Sequence, residues 1–179
     1  MSTWTLAIDP GPTQSAYVVL SDRSSSPHIY GFGIEPNDDV LDILAGHARH
    51  PVGISLVIEQ IASMGMAVGA ETFETCVWTG RFMERYAATC GREAVRIPRV
   101  PIKVHLCGTA KAKDANVRQA LIDRYGGPAA LRKAKPAKMN RKGEIIAPAV
   151  EAGALAGISS HCWSALAVGV VYLDRVAAG

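Results

Sequence analysis

Leu6-Ala7-Ile8-Asp9-Pro10-Gly11-Pro12-Thr13 is an apolar run that ends on a carboxylate and then breaks. Residues 3–8 read as a β-strand, because two prolines and a glycine cannot prolong its ladder. A carboxylate at a strand's exit is exposed while its backbone stays rigid. Taken alone, Asp9 has a simpler reading as an Asx turn, bonding the backbone two residues on. A second carboxylate repeats the pattern. Residues 54–58 are a near-continuous apolar run, as expected for a strand covered on both faces, and Glu59 follows them. The simpler reading of Glu59 is a surface residue. If the two strands are neighbours, both carboxylates converge on one point, repel each other and require a cation between them. Oxygen ligands favour Mg²⁺ or Mn²⁺ there.

Around these two strands the rest of the chain falls into place. Residues 16–20 and 29–34 read as further strands, joined by the turn Ser24-Ser25-Ser26-Pro27, so that the first three form an antiparallel meander. Helices are expected over 38–48 and 70–89, the second with apolar Phe73, Val77, Phe82 and Tyr86. A fifth strand over 94–97 is ended by 98–101, and a helix over 114–125 is stopped by Gly126-Gly127. Residues 127–158, rich in Gly, Pro, Ala and Lys, read as a flexible basic loop before a last helix over 160–176. This order predicts an α/β fold, a mixed five-stranded sheet flanked by helices.

At 179 residues, 49% hydrophobic and 20% charged, the chain is expected to be one domain over 1–179 and is not a disordered protein. Its start lacks the basic and apolar regions of a signal peptide. Residues 152–173 carry no Asp, Glu, Lys or Arg, but Gly157, Ser159, Ser160 and His161 leave only 162–173 apolar. That length suits a buried helix rather than a membrane span, so a cytoplasmic protein without membrane contact is expected. Cys76, Cys90, Cys107 and Cys162 form no CxxC pair and read as reduced, buried thiols. Charge is unevenly spread: residues 92–142 hold 14 basic and three acidic side chains, a charge of +11, against −8 elsewhere and a net +3. Such a segment is the footprint of a polyanion partner, the alternative being a solvated face.

Ile8-Asp9-Pro10-Gly11 followed by Ile58-Glu59-Gln60 resembles the RuvC family of Holliday-junction resolvases, members of the RNase H-like superfamily. Three further segments resemble its phage and prophage branch: Ser63-Met64-Gly65-Met66-Ala67-Val68-Gly69, Glu74-Thr75-Cys76-Val77-Trp78-Thr79-Gly80-Arg81-Phe82, and Lys113-Asp114-Ala115-Asn116-Val117-Arg118 with the three residues after it. His161-Cys162-Trp163-Ser164-Ala165-Leu166-Ala167 is similar to the family's closing helix. The resemblance implies a homodimeric, metal-dependent endonuclease that cuts four-way or branched DNA. It further implies two metal ions per site, Asp9 bridging both and Glu59 holding one, that clamp the scissile phosphate.

The sequence departs from the family where a pair of acidic or His residues stands on the closing helix. Here the pair is His161 and Ser164, which share one helical face. His161 can ligate a metal or deprotonate the attacking water, and an imidazole tilts the preference towards Mn²⁺. Its simpler role is to cap the helix with Ser159 or Ser160. Asp114 is the candidate to replace the absent carboxylate; its simpler role is a helix N-cap. Lys103, Lys111, Lys113 and Arg118 are expected to contact phosphates. Phe73, Trp78 and Phe82 are expected in the core or a dimer interface. Two other functions compete. A branched-DNA-binding protein that has lost catalysis would explain Ser164. An actin-like phosphate loop (Asp9, Gly11, Thr13) would require a second copy of the fold, and the chain contains no internal repeat.

Overall fold

Strands β1 (Trp4–Asp9) and β4 (Ser55–Gln60) run side by side and parallel, Leu6 opposite Leu56 and Ile8 opposite Ile58. Side chains alternate between faces along a strand. Leu6, Ile8, Leu56 and Ile58 therefore share one core, while Ala7 and Val57 join the other. One step further the same alternation places Asp9 and Glu59 together on the Ala7–Val57 face. A computed structural model describes residues 4–22, 26–49, 53–62, 68–142 and 145–178. The centre of the serine-rich turn at 24–25 and the segment 63–67, Met66 included, lie outside these residues.

β2 (Gln14–Ser21) and β3 (His28–Pro36) complete the expected meander, and β5 (Val95–Pro98) lies parallel to β4, giving the order β3-β2-β1-β4-β5. Helices α1 (Asn37–Ala48) and α2 (Ala70–Cys90) cover the Leu6–Ile8 face with Val40, Leu44, Phe82 and Tyr86. The Tyr86 hydroxyl donates to the Ile54 carbonyl at 2.7 Å, which satisfies its polar end inside the core. On the opposite face lie α3 (Arg99–Cys107), α4 (Asp114–Arg124) and α5 (Cys162–Ala178). α5 buries ten of its side chains or backbone positions, including Leu166, Val170 and Gly169. A Cβ on Gly169 would stand 2.9 Å from the Ala7 Cβ and would overlap a methyl of Leu20, so the helix needs glycine there to lie against β1 and β2.

Several expectations are corrected. Residues 98–101 end β5 but also open α3, whose Pro101 is tolerated because a first-turn N–H has no helical partner. The segment 127–158 carries regular structure: a 3₁₀ turn over Gly127–Leu131 and an antiparallel pair, β6 (Lys138–Met139) with β7 (Ile145–Ala147). Leu155 within it is fully buried. Met139, Ile145 and Ile146 are exposed on the small hairpin. Of the four cysteines only Cys162 is buried, and Cys76 is exposed. Phe82 is core and Trp78 packs on it, but Phe73 and Val77 stand exposed one turn apart on α2. Among the described residues no helix is long and apolar enough to cross a membrane.

The far end of α5 is tied by charge. Asp174 accepts two bonds from Arg124, at 2.6 and 2.7 Å, and lies 2.7 Å from His105 Nε2, joining α5 to α4 and α3. The Arg124 bonds, reinforced by those from His105, hold the Asp174 carboxyl below the usual carboxylate range. This stabilisation is present in full above the ordinary carboxyl value and is lost as pH falls through the lowered folded one. Asp174→Asn is expected to cost about 2 kcal/mol at pH 7, a fall in Tm of about 4–8 °C. Thermal melts across pH should show that difference vanish in acid; a constant difference at every pH would refute the assignment to charge.

Candidate active site

The turn after Asp9 is held from behind. The Gly11 N–H donates to Ser15 Oγ at 3.2 Å, Ser15 Oγ donates to Asn37 Oδ1 at 2.6 Å, and Asn37 Nδ2 donates to the Gly11 carbonyl at 3.0 Å. Ser15 and Asn37 are buried, so the loop's backbone groups are satisfied by a fixed network. Asp9 is thereby released from the Asx-turn role. Its Oδ2 lies 3.2 Å from His161 Nδ1 instead.

His161 precedes α5. Ser160 before it takes a left-handed backbone, φ 46°, which a residue with a Cβ adopts only when its surroundings impose it. The His161 carbonyl accepts from the Ser164 and Ala165 N–H groups and so starts the helix, while its side chain turns to Asp9. The simpler alternative, a cap made by the His161 side chain, is not seen. In the neutral tautomer whose Nδ1–H donates to the carboxylate, Nε2 carries the lone pair.

Glu59 has a side chain only 10% exposed and accepts from Arg99 Nη1 at 2.6 Å through Oε1. Its other oxygen, Oε2, is buried with no hydrogen-bond partner among the described residues. Arg99 Nη1 also reaches Ser164 Oγ at 3.4 Å, and Nη2 donates to Asp114 Oδ1 at 2.7 Å. Burial opposes charge on this guanidinium, but the charge and bond of Glu59, joined by Asp114, override it and raise the Arg99 pKa. Burial and then the neighbouring charge of Glu59 push the Asp9 carboxyl up to about 6, against a partial opposing pull from His161 and Arg99.

Asp114 is corrected on one count. Lys113 holds the N-cap position of α4, its N–H donating to Asn116 Oδ1, and Asp114 is the first helical residue. Its carboxylate is mostly exposed, lies 3.8 Å from Lys103 Nζ, and is held below its ordinary pKa chiefly by the bond from Arg99. A cleft of about 650 Å³ is lined by Asp9, Arg99, Asp114, Arg118, His161 and Ser164. Glu59 and Lys103 lie in a narrow recess beside it that shares Arg99, Asp114 and Ser164. A second cleft of about 400 Å³ meets the first at Asp9 and His161 and runs along Gly11, Thr13 and Gln14. The Arg118 guanidinium sits 5.0 Å over the Trp163 ring, facing the larger cleft. Lys111 and Lys113 are exposed on the α3–α4 connection and do not line it.

Sequence reading had missed Arg99, Ser15 and Asn37. Pro98 and Pro101 with apolar Ile102 and Leu106 beyond them would have signalled a helix start at Arg99. Nothing local marks Ser15 and Asn37, whose partnership spans 22 residues.

No three His, Cys, Asp or Glu side chains among the described residues form a finished metal-ligand set. The donors nevertheless fit a hard divalent cation. Two carboxylates end adjacent parallel strands on one face, one raises the other's pKa, and a buried Glu59 oxygen lacks a hydrogen-bond partner among the described residues.

The strand order and mixed directions define an RNase H-like fold. Two solved structures share it over nearly the whole chain. RuvC of Thermus thermophilus superposes with a TM-score of 0.63 at 14% identity, covering 99% of this chain and 97% of its own. T. thermophilus RuvC in complex with a Holliday junction substrate gives 0.66 at 13% identity, covering 97% and 94%. No family model and no curated protein matches the sequence. At such identity the likeness is one of fold.

Proposed function

We propose that the chain is a metal-dependent endonuclease that hydrolyses phosphodiester bonds in four-way or otherwise branched DNA, as a homodimer in the cytoplasm. The observation that carries this reading is the pairing of Asp9 and Glu59 at adjacent strand ends, with His161 on Asp9 and basic side chains around the cleft.

Asp9 and Glu59 would hold Mg²⁺ or Mn²⁺, which when bound supplies Lewis-acid charge at the scissile phosphate. His161 would take a proton at Nε2 from the attacking water, a role supported by the contact of its Nδ1 with Asp9. Water oxygen joins phosphorus as the P–O3′ bond breaks, and solvent protonates the departing O3′. Arg118 and Lys103 flank the cleft and its recess and would bind phosphate oxygens there; Lys111 and Lys113 would extend the track outward. Asp114 would orient Arg99 through the bond it accepts from Nη2. Such phosphate contacts orient DNA without reading its sequence.

A second reading, a junction-binding protein without catalysis, is favoured by Ser164 in place of an acid and by the Arg99 contact to Glu59. A synthetic four-way junction and a matched linear duplex, each with Mg²⁺ and with Mn²⁺, separate the two. Paired nicks on the junction are the expected result, with binding that weakens steeply as salt rises. Binding without nicks under either metal selects the second reading, and failure to bind the junction rejects both.

A further inference from the structure

We propose that Arg99 does the work of a second metal ion in this chain, so that one divalent cation and one guanidinium together form the active site. The inference rests on the nuclease reading above and deepens it.

The position one turn after His161 is Ser164, which brings no negative charge to bind a cation. A fixed positive charge stands there instead. Arg99 Nη1 is 2.6 Å from Glu59 Oε1 and 3.4 Å from Ser164 Oγ, and Asp114 steadies Nη2 from the other side at 2.7 Å. Glu59 therefore has one oxygen occupied by the guanidinium and one, Oε2, buried and without a hydrogen-bond partner among the described residues. A single cation would be held by Asp9 and Glu59, and Arg99 occupies the Glu59 oxygen that a further cation would need.

Arg99 is also placed to act on substrate. Its side chain is 39% exposed and lines the cleft that Asp9 and His161 share. A guanidinium carries five N–H donors. The three contacts above engage three, leaving Nε–H and one Nη2–H for phosphate oxygens. A planar fork preset by protein contacts suits phosphate and stabilises charge as it develops. Arg99 keeps its proton throughout: it lowers the energy of the charged phosphate while water forms the new P–O bond and O3′ departs with the electron pair.

Counting Mn²⁺ tests this without DNA. Calorimetric titration, with free Mn²⁺ followed by electron paramagnetic resonance, is expected to give one ion per wild-type chain. Arg99→Ala should still bind one, while its junction nicking falls about 10²–10³-fold, the loss typical of removing one preorganised donor. Arg99→Lys, which keeps the charge and the fold's contact to Glu59, should recover part of the rate with one ion bound. The double variant Arg99→Ala with Ser164→Asp should bind two. Two Mn²⁺ per wild-type chain would overturn the proposal, because Arg99 would then be a latch that metal displaces. Arg99→Ala nicking as fast as wild type would overturn it equally. A wild-type chain that binds one Mn²⁺ but cuts no junction would instead refute the nuclease reading, so the two failures are told apart.

Discussion

Asp9→Asn is expected to abolish junction cleavage, by at least about 10³-fold, while leaving the protein folded and able to bind the junction. Several kcal/mol of charge stabilisation pass through this carboxylate, and each 1.36 kcal/mol is a factor of ten in rate. Asp9 is mostly buried, and burial together with the Glu59 charge makes its ionised form unfavourable in the folded protein without metal. Replacing it with a neutral isostere removes that burden, so at pH 8 the metal-free variant should melt no lower than wild type. Divalent ion should raise the Tm of the wild type and not that of the variant, since a ligand stabilises only the state that binds it. Nicking assays and melts with and without Mn²⁺ check all of this. Retained cleavage would place the active site elsewhere, and a large fall in Tm would make Asp9 a structural residue.

Gly169→Leu is expected to give the largest loss of stability, about 3 kcal/mol and a Tm lower by about 6–12 °C. At this position even one carbon stands within 2.9 Å of the Ala7 Cβ, and that atom belongs to the central strand, which cannot step aside. α5 must lift from the sheet. Because His161 leads into the same helix and meets Asp9 at the end of β1, the lift should also slow nicking at temperatures where the variant is folded. A melt unchanged from wild type would show that the interface yields without strain.

The five strands and four of the helices were legible because each advertises itself locally. Apolar runs that end on carboxylates mark β1 and β4, and their continuous burial reflects two covered faces. That route singles out Asp9 and Glu59, whereas His161 comes from the resemblance of the closing helix; the structure brings its Nδ1 to 3.2 Å from Asp9. What escaped depends on partners distant in sequence. Arg99 meets Glu59 across 40 residues and Ser164 across 65, and no local pattern encodes either distance. Asp114 is the sequence's candidate for the absent carboxylate, with an N-cap as its simpler role, and neither reading foresees the bond it accepts from a guanidinium on another helix. The hairpin β6–β7 was read as flexible loop because composition reports the cost of ordering Gly, Pro and Lys, not the anchoring of Leu155 in the core. Phe73 is expected in the core or a dimer interface, and α2 turns it outward, which removes the first of these two alternatives.

α5 comes after every other described element, yet the sheet's second face rests on it. While the chain is being made, Ala7, Val18 and Val57 have no cover until that helix emerges. Asp9 must then wait 152 residues for His161, a loop closure of the slow, non-local kind. The basic stretch at 92–142 is synthesised earlier. On the nuclease reading proposed above, order of synthesis would set order of arming: a half-made chain would hold the charge for DNA before it gains the imidazole assigned to cutting.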